Sequence, residues 1–396
     1  MRTLVFNCGS SSLKVALFDG GRRSAGLTIA DIGGDATSLE LGNEQRPIQA
    51  ADHEQAVRAA LDIVASECAA ESIDIVGHRV VHGGANFVSP RTIDDELEKA
   101  LAALVPLAPL HLPASLTAIR AARAGLPGAR HVAVFDTAFH ASLPDYARTY
   151  ALPAELNERF GLRRFGFHGI SHAYVARRAA VCLGRKLASL KLVTCHLGNG
   201  CSVAAIDGGR SVDTSMGMTP LEGLVMGSRS GDVDPGLLVY LMRAAGLDAD
   251  ALDDLLNRHA GLAGLSGVGN DLRDIEARAA QGDSRCKLAI DVFVHRARKY
   301  IGAYAAVLGG IDAVVFSGGI GERSALIRAR ISGGFDYLGA RLDRERNEAA
   351  QPAESEAIDI ATDDSRLRLL VVATDEERAI AEECEEAWGK GKWGHA

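Results

Sequence analysis

A chain of 396 residues with 47% hydrophobic and 24% charged content is long enough for two ordinary domains with real cores. Its formal net charge of −8 implies no basic surface for nucleic acid, and no apolar run reaches the length needed to span a bilayer. The seven cysteines form no CxxC pair, which argues against a disulfide framework or zinc site and for a reduced, cytoplasmic setting.

The N-terminal MRTLVFNCGSSSLK holds too short an apolar run for a secretion signal, and it predicts a strand at 4–6. A Gly/Ser turn leads to a second strand at 14–18. The polar, weakly patterned 21–50 segment predicts edge strands with loops. Helical spacing follows at 55–68, then strands at 73–76 and 131–135 and a helix at 171–183. Strands at 191–195 and 202–206 precede helices at 235–245 and 285–307. Strands at 313–316 and 367–372 and a helix at 376–387 complete the pattern. The alternation predicts an α/β fold. In the long helix, Leu288, Val292, Ala297, Ile301 and Tyr304 form the expected core stripe.

One segment echoes another. LVFN-CGSSS-LKVALFD and VTCHL-GNG-CSVAAID are each two apolar strands around a tight turn, ending in Asp19 and Asp207. The echo predicts two halves of similar topology.

Neither GxxxxGK[ST] nor a strand–GxGxxG–helix pattern is present, so phosphate must be held otherwise. Three Gly-rich turns follow apolar strands, at 7–12, 196–200 and 317–322. Glycine lets backbone N–H groups approach an anion, and Lys14 stands beside the first turn. Arg79 lies in GHRVVHGG. Arg229 lies in MGSRSGDVDPG, before a helix with Asp234 as N-cap and Pro235 at its first position. Arginine forks suit carboxylates and phosphates, although a lone Arg also serves in structural ion pairs. Asp136 ends the strand HVAVF, where it could face a ligand or cap a turn. His168 and His172 in FGFHGISH precede a helix N-terminus, a setting that favours anions, although a core histidine reads the same way. Glu376 could hold Mg²⁺ or complement a helix dipole, with Thr374 and Glu377 as a capping box.

Together these strings resemble the acetate kinase family. Asn7-Cys8-Gly9-Ser10-Ser11-Ser12-Leu13-Lys14 matches its N-terminal motif. GHRVVHGG stands at 77–84, VFDTAFH at 134–140, GFHGISH at 166–172, HLGNG at 196–200, TSMGMTPLEGL at 214–224 and SGGIGE at 317–322. The resemblance implies the acetate-and-sugar-kinase, Hsp70 and actin fold. That fold has two duplicated ribonuclease-H-like domains with an interdomain cleft. The first would span 1–148, completed by a helix at about 375–396, and the second, nucleotide-binding, 149–374.

The resemblance also implies residue roles. Asn7 and Glu376 would serve Mg²⁺ (or Mn²⁺). Lys14, Ser10 and Ser12 would serve the phosphates of ATP or ADP. The nucleotide would further meet His196, Leu197, Gly198, Asn199 and Gly200, then Asp271, Leu272 and Arg273, and Gly319, Ile320, Gly321, Glu322 and Arg323. Arg79, Asp136, His168 and Arg229 would surround the transferred phosphoryl group. Arg79, Val81, Leu110, Phe167 and Pro220 would line the acid pocket. A homodimer is implied, with no nucleic-acid or membrane partner. Three departures stand out: Cys8 for the usual Ala, Arg323 for the usual Asn, and PLHLPAS at 109–115 for PLHNPxN.

A carboxylate acceptor is already ionised at neutral pH, with a pKa near ~4, so its phosphorylation needs no general base. What it needs is charge neutralisation between two anions, which two arginines and a histidine can supply. The expected reaction is reversible, direct in-line transfer from ATP to acetate. Propionate or another short-chain acid is the alternative substrate. A non-catalytic ATP-driven module of the Hsp70 or actin type is the alternative of another class.

Overall fold

A computed structural model of the chain describes residues 1–9, 11–34, 36–42, 44–67, 73–109, 111–354 and 356–389. The chain divides into two compact units, Met1–Ala138 with Asp375–Ala396, and Phe139–Thr374. The first crossing falls earlier than the boundary expected at 148. From Phe139 onward the chain bonds to the second unit: His140 Nδ1 lies 2.8 Å from Ser211 Oγ, and Ser142 Oγ donates to Ser211 O.

The first unit holds eight strands, β1 (Arg2–Cys8), β2 (Ser12–Asp19), β3 (Arg22–Ala30), β4 (Ser38–Leu41), β5 (Glu44–Pro47), β6 (Ile75–Val80), β7 (Arg91–Thr92) and β8 (Arg130–Phe135). Their order in the sheet is β5-β4-β3-β2-β1-β6-β8-β7. Strands β1, β2 and β3 run antiparallel, while β6 and β8 run parallel to β1. From Thr3 to Cys8 every β1 residue is buried, as befits a central strand covered on both faces. Helices His53–Glu67 and Leu112–Gly125 pack together and against the sheet around Leu4, Phe6, Leu13 and Val57. The C-terminal helix Glu376–Gly389 packs on β1, β2, β6 and β8. Gly77 permits this, because a Cβ there would stand 2.8 Å from Ile380 Cγ2 and 3.0 Å from Cys384 Sγ.

The second unit holds β9 (Lys191–Leu197), β10 (Cys201–Asp207), β11 (Arg210–Thr214), β12 (Ala313–Ser317), β13 (Ala357–Asp359) and β14 (Arg368–Val372), ordered β11-β10-β9-β12-β14-β13. Its first three strands form an antiparallel meander, and β12 and β14 are parallel to β9. The core β3-β2-β1-β6-β8 is therefore repeated as β11-β10-β9-β12-β14. Both hairpins of the sequence echo occupy the same topological place, and the duplicated α/β architecture stands. Helix Gly169–Cys182 packs against β9, β12, β13 and β14, while Ser284–Val307 packs against β9 and β10.

Two local expectations are corrected. Of the expected core stripe, Ala297, Ile301 and Tyr304 are buried, but Leu288 is 54% exposed and Val292 only partly buried, because the N-terminal half of Ser284–Val307 buries Ala289, Ile290, Phe293 and Val294 instead. The N-terminus of Glu376–Gly389 is capped by Asp375, whose Oδ1 accepts from Arg378 N at 3.0 Å. Thr374 instead pairs its hydroxyl with Ser171 Oγ at 2.9 Å. No helix among the described residues is long and apolar enough to cross a membrane.

Candidate active site

In the first unit the predicted residues gather at the carboxyl ends of parallel strands, where α/β folds bind ligands. Asn7 lies near the end of β1, Arg79 near the end of β6, and Asp136 just past β8. Asn7 and Lys14 are direct cross-strand partners, so their side chains share one face, with Lys14 exposed. Arg79 Nη2 donates to Asp136 Oδ2 at 2.6 Å, and Arg79 Nε lies 3.9 Å from Glu376 Oε2. Burial works against the Arg79 charge, but the Asp136 and Glu376 carboxylates outweigh it and hold its pKa above the ordinary value.

Asn7 Nδ2 donates to Glu376 Oε2 at 2.9 Å and to Glu377 Oε1 at 2.7 Å. Arg23 Nη2 meets Asp375 Oδ1 at 2.7 Å, and the same nitrogen is 3.6 Å from Glu377 Oε2. Glu377 and Arg23 were not among the predicted site residues. Their long-range pairing with β1 and the last helix leaves no local sequence mark. Cys8 sits beside Arg79, yet burial pushes its thiol up to about 12, so it is no nucleophile at neutral pH. Val81 is buried just after β6. Ser10 and Leu110, predicted for the phosphates and the acid pocket, lie outside the described residues. At the PLHLPAS departure, Leu112 is fully buried against Val80, Leu97 and Leu101. The apolar replacement there serves the core.

In the second unit, His168 precedes helix Gly169–Cys182 with φ +56°, an uncommon conformation for a residue with a Cβ. Its ring stacks on His196 at 4.3 Å between centroids. Its Nδ1 lies 2.8 Å from Ser202 Oγ. Arg229 Nη1 donates to Pro220 O at 2.6 Å, and burial lowers its pKa from the ordinary value. Gly200, the last residue of HLGNG, is the point where these groups meet. A Cβ there would stand 2.6 Å from Arg229 Nη2 and 3.4 Å from His168 Nε2. The absence of a side chain is what admits both groups. Phe167 is buried, and its carbonyl lies 3.0 Å from His140 Nε2.

The predicted nucleotide segments also adjoin one another. Asn199 Oδ1 accepts from Asn270 Nδ2 at 3.0 Å, which joins HLGNG to the segment carrying Asp271, Leu272 and Arg273. Asp271 caps the helix that Leu272 opens and pairs with Arg273 at 2.6 Å. Gly319 N would lie 4.0 Å from a Cβ on Gly198. Helix Gly318–Arg323 carries Ile320, Gly321 and an exposed Arg323, and Glu322 clamps it from behind. Its Oε1 accepts from Gly318 N and from Thr374 N, each at 2.9 Å.

Arg328 was not predicted. It is 1% exposed, and its Nη1 donates to Gly321 O at 3.0 Å and Glu322 O at 2.7 Å. It thus satisfies carbonyls at the negative end of that helix. Its neighbours Ile327 and Ile331 mark only a helix in the sequence.

Donor chemistry suits a hard divalent cation in the first unit, where a carboxylate and an amide offer oxygen ligands. Among the described residues no group of three or more His, Cys, Asp or Glu could hold a metal by itself.

Known proteins resemble this chain over nearly its whole length. The profile of the acetokinase family matches residues 2–382. An acetate kinase of Halothermothrix orenii is 47% identical over 393 residues, covering 96% of this chain and 98% of that protein. The crystal structure of Porphyromonas gingivalis acetate kinase superposes with a TM-score of 0.90 at 40% identity, covering 98% of this chain and 99% of that one. A propionate kinase from Francisella tularensis superposes equally, with a TM-score of 0.90 at 37% identity over 96% of this chain and 98% of that one.

Proposed function

We propose that this chain, which belongs to the acetokinase family, transfers the γ-phosphoryl group of ATP to acetate, reversibly, giving acetyl phosphate and ADP. The observation that carries the reading is the meeting of the Arg229 guanidinium and the His168 imidazole at the bare Gly200 turn. Two donors converging on a backbone turn suit an oxyanion rather than a neutral hydroxyl.

Arg79 and Arg229 hold the carboxylate and the equatorial phosphoryl oxygens, and His168 donates a hydrogen bond to those oxygens as charge develops. Asp136 orients Arg79 through their 2.6 Å contact. The acid arrives ionised, so no side chain needs to take a proton, and transfer is direct and in line. Lys14, Ser10 and Ser12 serve the phosphates. The HLGNG turn, residues 271–273 and residues 319–323 serve the nucleotide. Asn7 and Glu376 would hold Mg²⁺, which when bound neutralises phosphate charge. Val81, Leu110, Phe167 and Pro220 receive the methyl end of the acid.

The enzyme acts in the cytoplasm, a setting in keeping with cysteines 8, 182, 195, 201, 286 and 384 all being free thiols. It acts as a homodimer. Helix Pro235–Ala244 supports that, since it buries none of its residues and exposes Leu237, Val239, Tyr240 and Met242.

Propionate is a second reading, favoured by the equal superposition of the Francisella propionate kinase. Purified protein with ATP, Mg²⁺, acetate and hydroxylamine should yield acetohydroxamate. Relative rates with two-, three- and four-carbon acids separate the two substrates. No hydroxamate from any of them would overturn the reading.

A further inference from the structure

His172, the second histidine of GFHGISH, has no part in the reaction described so far. It lies one helical turn beyond His168, with its backbone N–H donating to His168 O at 2.8 Å. Its ring is fully buried and doubly engaged. Its Nδ1 lies 2.7 Å from Thr194 Oγ1, and its Nε2 lies 2.8 Å from Ser202 Oγ. The same Ser202 Oγ stands 2.8 Å from Nδ1 of His168. Thr194, His172 and Ser202 are each 0% exposed, so bulk water does not compete within this chain.

We propose that His172 and Ser202 are positioning residues that fix the His168 ring and hold it in the tautomer protonated at Nε2. This rests on the reading of His168 as a phosphoryl-binding donor. A hydroxyl has one proton to give, and a neutral imidazole has one N–H. When Ser202 donates to one ring nitrogen and accepts from the other, the four groups order their protons in one of two opposite directions.

In one direction Thr194 Oγ1 donates to His172 Nδ1, His172 Nε2 donates to Ser202 Oγ, and Ser202 Oγ donates to His168 Nδ1. His168 is then left with its proton on Nε2. That nitrogen is the one beside Arg229 Nη2 at the Gly200 turn. In the other direction the proton sits on Nδ1, and Nε2 turns a lone pair toward the anion. Phosphoryl oxygens only accept, so the first order is the one the reaction can use.

Burial, reinforced by the nearby His140 and His196, keeps the His172 pKa well below the ordinary value, so it stays neutral with a single N–H. The strained backbone of His168 sets where the ring starts, and the relay sets how it is turned and which nitrogen carries the proton.

The test compares Ser202→Ala, His172→Phe and His172→Gln. Losing an outer partner that orients a metal-bound imidazole costs about 10–100-fold, and a loss of at least that order is expected here. Ser202→Ala and His172→Phe should lower kcat by that order, with KM for ATP and acetate nearly unchanged. His172→Gln should recover much of the loss seen in His172→Phe, because its amide can still donate to Ser202. Should His172→Phe fail to fold, Ser202→Ala carries the comparison.

A direct readout uses enzyme labelled with ¹⁵N-histidine, with His168 assigned by His168→Ala. Wild-type shifts should report N–H at Nε2, and Ser202→Ala should show mixed tautomers. Wild-type kcat in Ser202→Ala, or a wild-type His168 protonated at Nδ1 or at both nitrogens, would overturn the relay. These shifts are read without turnover, so a protein that makes no hydroxamate would sink the proposed reaction and still report on the relay.

Discussion

Arg229 keeps its charge in an unusual setting. It is half-buried, its Nη1 donates to a carbonyl, and among the described residues no carboxylate lies within ion-pair distance of it. Arg79 differs, being matched by Asp136 at 2.6 Å. A guanidinium without a counter-ion is ready to neutralise an incoming anion. If it stabilises the phosphoryl group in flight, as an arginine finger does, its loss should cost roughly 10³–10⁵ in rate. Arg229→Ala should therefore lower kcat by that order. Arg229→Lys should recover only part, since an ammonium keeps the charge and loses the paired donors. Steady-state kinetics on the two variants decides, and an Arg229→Ala enzyme with more than about a tenth of the wild-type rate would remove the finger role.

Histidine 140 makes a residue-scale prediction about acid stability. Burial drives its pKa down to about 4, although the Phe167 carbonyl pulls the other way. Unfolded, it would titrate near ~6.5. The unfolded chain thus binds a proton that the folded one refuses. The contribution is complete above about 6.5 and is lost as pH falls toward 4, for a total of roughly 3 kcal/mol. Once the intrinsic pH dependence of exchange is divided out, the protection factors of peptides from β9 to β12 should therefore fall between about pH 6.5 and 4.5. His140→Gln should flatten that dependence, and an unchanged slope would mean that other groups dominate.

At the scale of elements, the close packing of the last helix on β6 depends on one missing methyl. Gly77→Ala would press a Cβ to within 2.8 Å of Ile380 Cγ2 and 3.0 Å of Cys384 Sγ. Overpacking of this kind typically costs 1–3 kcal/mol. The thermal midpoint of the variant should fall, and Gly77→Ala with Ile380→Val should recover part of the loss. A midpoint equal to wild type would show that the helix shifts freely.

Central strands were legible because burial on both faces makes them continuous apolar runs, as in β1, β9, β12 and β14. The edge strands β4 and β5 were legible only as a region, and β7 and β13 were not, since edge positions carry polar residues with little pattern, as in the fully exposed EQRP of β5. The cap at Asp375 was missed because Thr374 and Asp375 are adjacent and both of capping type. Of the site, the residues set at strand ends could be found from the sequence. Glu377, Ser202 and Thr194 could not, because each acts through a partner far away along the chain. Arg328 could not either, because its bonds to the Gly321 and Glu322 carbonyls depend on how two short helices meet, which leaves no side-chain pattern.

At the scale of the molecule, what distinguishes the surface is helix Pro235–Ala244. Asp234 caps it through Gly236 N, and Pro235 opens it. Residues 237–242 read LLVYLM, yet none of the helix is buried. An amphipathic helix of a lone monomer would turn a stripe like this inward. Tyr240 is 65% exposed, with Leu237, Val239 and Met242 each above 40%. A surface of this kind is costly to leave wet, and a second copy can cover it through a two-fold axis that brings the same helix to itself. Light scattering on the purified protein should then give about twice the 41.7 kDa of one chain. Tyr240→Glu with Leu237→Glu should halve that mass, because two like charges would face their own copies across the axis. A wild-type mass of one chain, or a double variant that remains dimeric, would mean that this helix is not what joins two copies.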